Sequence, residues 1–371
     1  MLLEIENKID RAILDPEHFN EISSKKEIAF RNALYIKKIA DKSLSIKMKY
    51  KLYNRANRIN NCMSLWWWNL YKENKIMDFQ KVWRCKDMYC PNCRAVDLDI
   101  QIRGYRKYFN DMIAFGYNPY FLTLTIPNIN LDDIYYKIDM INKAFLQLWL
   151  WLNRDDKKGF KDRMFDVKAA TKSIEMPINK ENKLGHLHIH AILFIDNESE
   201  SDFEKNIEAY YRKKSNEIVL LSNADIEMAK LWTMAVKKEN VSQYKKLSDS
   251  WENNYKCDIR PIDLRKGLNE AFKYSFKDTD INDYDIFKSV FFGFRGHRIR
   301  QSYGKIKKFE LKKSKEFDIE RVPAEISDYL QFDEEPEILK THNVKELNQE
   351  YKDFKKISRK KAYRDLVNIK D

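Results

Sequence analysis

The sequence predicts an α+β fold: a central antiparallel β-sheet flanked by helices, with a helical region ahead of it. Three observations carry this. The 371 residues include only 8 Gly and 8 Pro, which disfavours an all-β or low-complexity chain and favours long helices. Several segments alternate apolar and polar residues with a period of two, and two of them are joined by a short polar turn. Segments with apolar residues three or four apart lie between the strands, which suits an antiparallel sheet with packed helices.

Composition narrows the class further. The length allows roughly two or three domains. Hydrophobic residues make up 43% and aromatics 13%, enough for a sizeable core and against global disorder. Lys and Arg number 69 against 57 Asp and Glu, a net charge of +12. Such an excess favours a polyanionic partner, nucleic acid before acidic membrane, or marks a merely basic soluble protein. The densest apolar run, FLQLWLWL, is far shorter than the ~20 residues that span a bilayer. The N-terminus, MLLEIENKIDRAILDPEHFN, mixes acids into its first turns and lacks a signal peptide's apolar block. The expectation is a cytoplasmic protein with no membrane partner. Five cysteines in a reducing compartment then point to metal rather than to disulfides.

The elements follow in order. Residues 1–80 read as a helical N-terminal region, because NALYIKKIADKSLSIKMKYKLYNRANRINN carries apolar residues at helical spacing among lysines and arginines. Residues 81–110, with Cys62, read as a Cys-rich zinc module. Residues 111–310 read as the catalytic domain. Within it, PYFLTLTI is a strand with Phe121, Thr123 and Thr125 on one face. A helix follows, with Ile134, Ile138, Ile141, Phe145, Leu148 and Leu152 on its apolar side. ATKSIEMPI alternates again and aligns Thr171, Ser173 and Glu175. NKENKLG is a polar hairpin connection into the strand GHLHIHAILFI. Residues 201–255 read as charged and helical, KCDIRPIDL as a strand, and KGLNEAFKYSFKDTD as a helix. FRGHRIRQSYGKIKK is basic and punctuated by glycine. Residues 311–371 read as a charged helical tail.

Half of the six histidines, His186, His188 and His190, occupy alternate positions of one strand. They therefore share a face, while Leu187, Ile189, Ala191, Leu193 and Ile195 take the other. A lone buried histidine is usually structural. Three on one face would be costly polar groups unless they met a ligand, and neutral imidazoles bind divalent metals well. Glu175, on the preceding strand, is the candidate carboxylate. A mixed nitrogen and oxygen set suits Mg2+ or Mn2+.

On the helix EAFKYSFKD, Glu270 and Tyr274 are one turn apart, with Lys277 on the same side. A tyrosine hydroxyl can attack a phosphodiester, a carboxylate can activate water, and a lysine can stabilise the developing charge. Alone this is a weak signal, since the chain has 21 tyrosines. The cysteines are more specific. CKDMYCPNC places Cys85, Cys90 and Cys93 as C-x4-C-x2-C, with Cys62 as the fourth ligand of a structural Zn2+. Cys257 reads as a core residue of its strand. Arg295, Arg298 and Arg300, with Lys273, are the cations expected to contact DNA.

Three separated stretches resemble one family, the rolling-circle replication initiators of small bacterial plasmids in the HUH endonuclease superfamily. FLTLTIPN resembles the first motif. HLHIH resembles the second, with His188 and His190 as the His-hydrophobic-His pair. EAFKYSFKD resembles the third, with Tyr274 in the nucleophile's place. Glu270 beside Tyr274 resembles the subgroup that uses one tyrosine and a glutamate. The likeness runs from about residue 55 to 310. It implies an HUH-like sheet and a metal held by His188, His190 and Glu175, with His186 a third ligand, an outer contact or a DNA contact. It also implies strand-specific nicking at a plasmid origin through a 5′-phosphotyrosine, and termination by a second cleavage and joining. Origin DNA, single-stranded or in a hairpin at the nick, is the implied partner. Host helicase, polymerase and a second copy of the chain are further expected partners. The rival readings are an HUH transposase or mobilisation relaxase, and a non-catalytic zinc-containing DNA-binding regulator.

Overall fold

A computed structural model describes residues 16–154, 160–196, 200–212, 217–246, 254–262, 275–304, 334–342 and 344–358. The chain forms two compact units, residues 1–103 with 311–371, and residues 104–310. No helix among the described residues is long and apolar enough to cross a membrane.

The first unit opens with α1 (Pro16–Asp41) and α2 (Ile46–Asn60). Ser45 caps α2: its hydroxyl accepts from the Met48 N–H at 3.3 Å, satisfying a donor that the helix itself leaves unpaired. Leu52, Ala56 and Ile59 are buried at helical spacing. The expected helical region stops there. Residues 66–82 form a hairpin instead, β1 (Trp66–Tyr71) and β2 (Ile76–Val82). The cause lies in the run WWWNLY, where alternate tryptophans suit a pleated face better than a helix. Trp66 and Trp68 both pack on Phe79 of the facing strand, at 5.6 and 5.3 Å between ring centroids. The next helix, α3 (Pro91–Ala114), runs through the boundary expected at residue 110.

The second unit is built on a five-stranded sheet. Its members are β3 (Asn118–Thr125), β5 (Asp166–Glu175), β8 (His188–Asp196), β11 (Cys257–Pro261) and β12 (Arg300–Gly304). The order is β11-β3-β8-β5-β12, and every pairing is antiparallel. The short strands β4 (Ile129–Asn130), β6 (Ile178–Asn179) and β7 (Leu184–Gly185) form a three-stranded sheet in the order β4-β7-β6. Between β5 and β8, the expected hairpin connection thus carries strand pairing of its own.

One face of the large sheet packs on α4 (Ile134–Asn153), which buries Ile138, Ile141, Phe145, Leu148 and Leu152 as its spacing predicts. Each such side chain contributes about 1.5–3 kcal/mol of burial. Gly304 ends β12 at φ +65, where a Cβ would stand 2.4 Å from the Lys168 carbonyl and 2.7 Å from Trp149. Only glycine fits that approach. The other face is partly covered by α3. Phe109 meets Phe194 at 5.0 Å, and the Tyr105 hydroxyl meets that of Ser302 at 2.8 Å.

Two stretches depart from the sequence reading. Within 201–255, β9 (Ile207–Arg212) and β10 (Glu217–Leu221) form a separate two-stranded ribbon before α5 (Asn223–Lys237). Ile218 and Leu220 are exposed on that ribbon, so it lacks the buried alternation that would reveal it. After residue 280, α6 (Tyr284–Gly293) fills a stretch to which the sequence reading assigned no element, and β12 forms within the segment read only as basic. Gly293 lets α6 close on Ile134, whose Cγ2 would lie 2.4 Å from a Cβ.

The tail is not merely solvated helix and loop. It carries β13 (Glu337–Thr341), α7 (Val344–Glu350) and β14 (Lys355–Ile357). β13 pairs with β1 and β14 with β2, making the four-stranded sheet β13-β1-β2-β14 of the first unit.

Candidate metal and DNA-processing site

Register places the candidate residues in rows across the sheet. His188 stands opposite Thr125 on β3 and Glu175 on β5. His190 stands opposite Thr123 and Ser173, and Ser173 stands opposite Arg300 on β12. Directly opposed residues point to the same side. Glu175, His188, His190, Ser173 and Arg300 therefore share the sheet face that α3 covers only in part.

The contacts are specific. His190 Nε2 lies 2.8 Å from Glu175 Oε2, and its Nδ1 lies 3.3 Å from the Thr123 hydroxyl. In the neutral ring, Nε2–H donates to the carboxylate and Nδ1 accepts from the hydroxyl. Phe121 stacks on the same imidazole at 5.5 Å. The three histidine rings form a near-parallel ladder, with centroids 6.0 and 6.1 Å apart. Exposure grades along it: His190 is buried, His188 is half-buried and His186 is exposed. Burial, and then the neighbouring His190, push His188 down to about 4, against the pull of Glu175. At neutral pH it is an uncharged imidazole, the form that binds metals.

By donor chemistry, two imidazoles and a carboxylate fit a divalent cation. Their present geometry is occupied by the Glu175–His190 hydrogen bond. Among the described residues, only the cysteine cluster gathers three or more donor atoms within 4.8 Å of one another. A single ion on His188, His190 and Glu175 would need side-chain rotation that breaks this bond.

The third motif touches the same strand end. Glu270, Lys273 and Tyr274 lie outside the described residues. Ser275, which follows Tyr274 in the chain, accepts a 2.7 Å hydrogen bond from the N–H of Met176, which follows Glu175. Phe276 is buried against Phe294 at 5.6 Å, and the Asp280 carboxylate accepts from the Ile178 N–H at 3.4 Å. Residues 275–280 are bend and turn rather than the expected helix, and Lys277 is exposed there. Arg295 and Arg298 are exposed in the segment after α6. Of the three expected arginines, register aligns Arg300 with the histidine row.

Sequence reasoning missed Lys172, on the opposite face from the histidines. It is buried, hydrogen-bonds Asn142 Oδ1, and lies 5.2 Å over the Phe145 ring. Burial pushes it down to about 7. Its place in an alternating strand gave no signal, since a lysine there reads as solvent-facing. Cys257, read as a core residue, is buried and donates its thiol to the Asp225 carbonyl at 3.0 Å.

Cys62, Cys85, Cys90 and Cys93 come together in the first unit, all buried. Cys93 Sγ lies 3.4 Å from Cys62 Sγ and 3.6 Å from Cys85 Sγ. Tetrahedral zinc with bonds of ~2.3 Å would hold its sulfurs about 3.8 Å apart, so the set could hold one ion. The Lys86 N–H donates to Cys93 Sγ at 3.2 Å, helped by a left-handed Lys86 at φ 56. Hydrogen bonds from Cys62, Cys85 and Cys90 push the Cys93 thiol well below its ordinary value, while the Cys90 thiol is pushed far above its own. Crowded thiols resist full ionisation without a cation.

The fold and its sites define a mixed α/β protein with a histidine–carboxylate face and a four-cysteine cluster fit for metal. The Rep_1 family model, whose description is replication protein, matches residues 76–355. The chain belongs to this replication-protein family, and membership supports a plasmid replication initiation protein. No curated protein and no solved structure matches the chain.

Proposed function

We propose that this chain is a rolling-circle initiator that nicks one strand of a plasmid origin through Tyr274, as a single-tyrosine-plus-glutamate HUH endonuclease. The observation that carries the reading is the Met176–Ser275 hydrogen bond. It ties the residue after Tyr274 to the residue after Glu175, on the strand end that faces His188. The family match favours initiation over transposition or mobilisation.

A divalent ion, Mg2+ or Mn2+, held by His188, His190 and Glu175 would polarise the scissile phosphate. His186 is left as a further ligand or a DNA contact. The Tyr274 hydroxyl loses its proton and attacks phosphorus. The bond to the 3′ oxygen breaks, leaving a 5′-phosphotyrosine and a free 3′-OH. Replacing one phosphodiester with another preserves the bond energy for later rejoining. Arg300, in the histidine row, would hold a neighbouring phosphate, and Lys277 would stabilise charge on the transferring group. Lys273, Arg295 and Arg298 would add backbone contacts. Glu270 activates water, or a second cleavage, to end the round. Zinc on the four cysteines would be structural. The partners are single-stranded or hairpin origin DNA, then host helicase and polymerase acting on the 3′ end, with a second copy of the chain as a further partner. The compartment would be the bacterial cytoplasm.

Tyr274→Phe tests the reading. Origin nicking and the covalent protein–DNA adduct, followed on denaturing gels, should both disappear. Survival of the adduct would exclude Tyr274 as nucleophile. Absence of nicking by the unaltered protein would favour the non-catalytic, zinc-containing DNA-binding regulator.

A further inference from the structure

We propose that the outward face of α2 docks on duplex DNA, gripping the double-stranded part of the origin while the second unit works on the single strand. The proposal rests on the initiator reading and adds to it a second DNA surface. It lies ahead of residue 76, outside the stretch that matches the family.

α2 is two-sided. Leu52, Ala56 and Ile59 are buried, whereas Lys47, Tyr50, Lys51, Asn54 and Arg58 are exposed on the other side. With Arg55, these residues line an open groove of about 510 Å³. Asp87 is the groove's single carboxylate, set against four cations. Arg55 already engages it through two hydrogen bonds, 2.6 Å from Nε and 3.0 Å from Nη2. Arg58 Nη2 donates to the Cys85 carbonyl at 2.5 Å. The two arginines thus fasten the helix to the cysteine loop, and Lys47 and Lys51, one turn apart, give the exposed face its outward charge.

The shape and chemistry favour duplex over other polyanions. A helix of 15 residues is ~22 Å long and fits the ~12 Å major groove. Lys47 and Lys51 suit phosphates, while Asn54 and Tyr50 can hydrogen-bond base edges. Single strands are usually held on several stacked aromatics, and this face offers Tyr50 alone. An acidic membrane would call for a continuous apolar stripe. Here the exposed large hydrophobic side chains are Leu44 and Ile46, where the helix begins, and Tyr50, which stands among lysines and an asparagine and makes no stripe.

The test uses the full chain and its Lys47→Glu/Lys51→Glu variant. Fluorescence anisotropy follows binding to an origin duplex, to one strand of the same sequence, and to phosphatidylserine vesicles, over a series of salt concentrations. A tiled set of single-stranded origin oligonucleotides reports cleavage. The expected result is duplex affinity at least roughly tenfold weaker, with the salt slope shallower by about 2. Single-strand affinity and oligonucleotide cleavage should stay as in the unaltered protein. The milder Lys47→Gln/Lys51→Gln pair should shift duplex binding the same way, which separates lost contacts from damage by the new carboxylates. Unchanged duplex affinity and slope would overturn the proposal. So would an equal loss on single strands, or a loss confined to vesicles. Loss of duplex binding beside an unaltered protein that cuts no oligonucleotide would keep this surface and remove the nicking reading.

Discussion

His190 Nε2 and Glu175 Oε2 stand 2.8 Å apart across neighbouring antiparallel strands, and Glu175 is also the register partner of His188. A divalent cation would have to displace that hydrogen bond. Glu175→Gln should therefore weaken Mn2+ binding by roughly 10–100-fold, read by calorimetry, with nicking falling in parallel. Chelation should abolish cleavage by the unaltered protein, and added Mg2+ or Mn2+ should restore it. Normal Mn2+ affinity in the variant would remove Glu175 from the ligand set.

Glu270→Ala separates the two halves of the proposed cycle. The first nick and its adduct should persist, because Tyr274 is retained. Closed circular product should fall by about 10²-fold, the usual scale of general base catalysis. An unchanged yield of closed circles would end the role assigned to Glu270.

Cys93→Ser removes the sulfur that lies within 3.4–3.6 Å of two others. Metal analysis should find one zinc per chain in the unaltered protein and none in the variant. The first unit should lose several kcal/mol of stability, seen as an earlier melting transition. Equal zinc content in both proteins would count against the cluster as the binding site.

Glu227 offers a pH test that is independent of DNA. It is buried on α5 and accepts from the Met164 N–H at 2.9 Å. Burial raises its carboxyl from 4.5 to about 7. Between those values the folded chain binds a proton that the unfolded chain has released. Stability therefore declines as pH rises through this window and stays lower above it. Glu227→Gln keeps an acceptor without the buried charge. It should raise the melting temperature at about pH 8, by ~2 kcal/mol of stability, and change little at about pH 4. Equal melting shifts at both pH values would contradict the burial argument.

The inner strands β3, β5 and β8 were legible because they alternate cleanly, whereas the edge strand β12 was hidden in a segment that reads as merely basic. Period alone set the three histidines on one face of their strand and Thr171, Ser173 and Glu175 on one face of theirs. The hairpin suggested that Glu175 meets the histidines, and the cysteine spacing pointed to a metal cluster; the row through Thr123 needed the register. The hairpin of β1 and β2 was hidden by a helical-looking neighbourhood and by a turn without glycine, where Lys75 takes φ 51. The α6 helix was hidden by its brevity, ten residues between polar segments. Contacts between distant residues left no local trace. Neither the Met176–Ser275 bond nor the pairing of β13 with β1 follows from any window of sequence.

That last pairing has a practical reach. β1 receives β13 along Trp66–Leu70, from a segment more than 260 residues away. A chain shortened after β12 would keep every residue of the histidine face yet leave β1 as an open edge rich in tryptophan. Such an edge invites strands from other molecules. Production of the second unit alone should therefore begin beyond β2 or retain the C-terminal strands, since a cut between them exchanges solubility for aggregation.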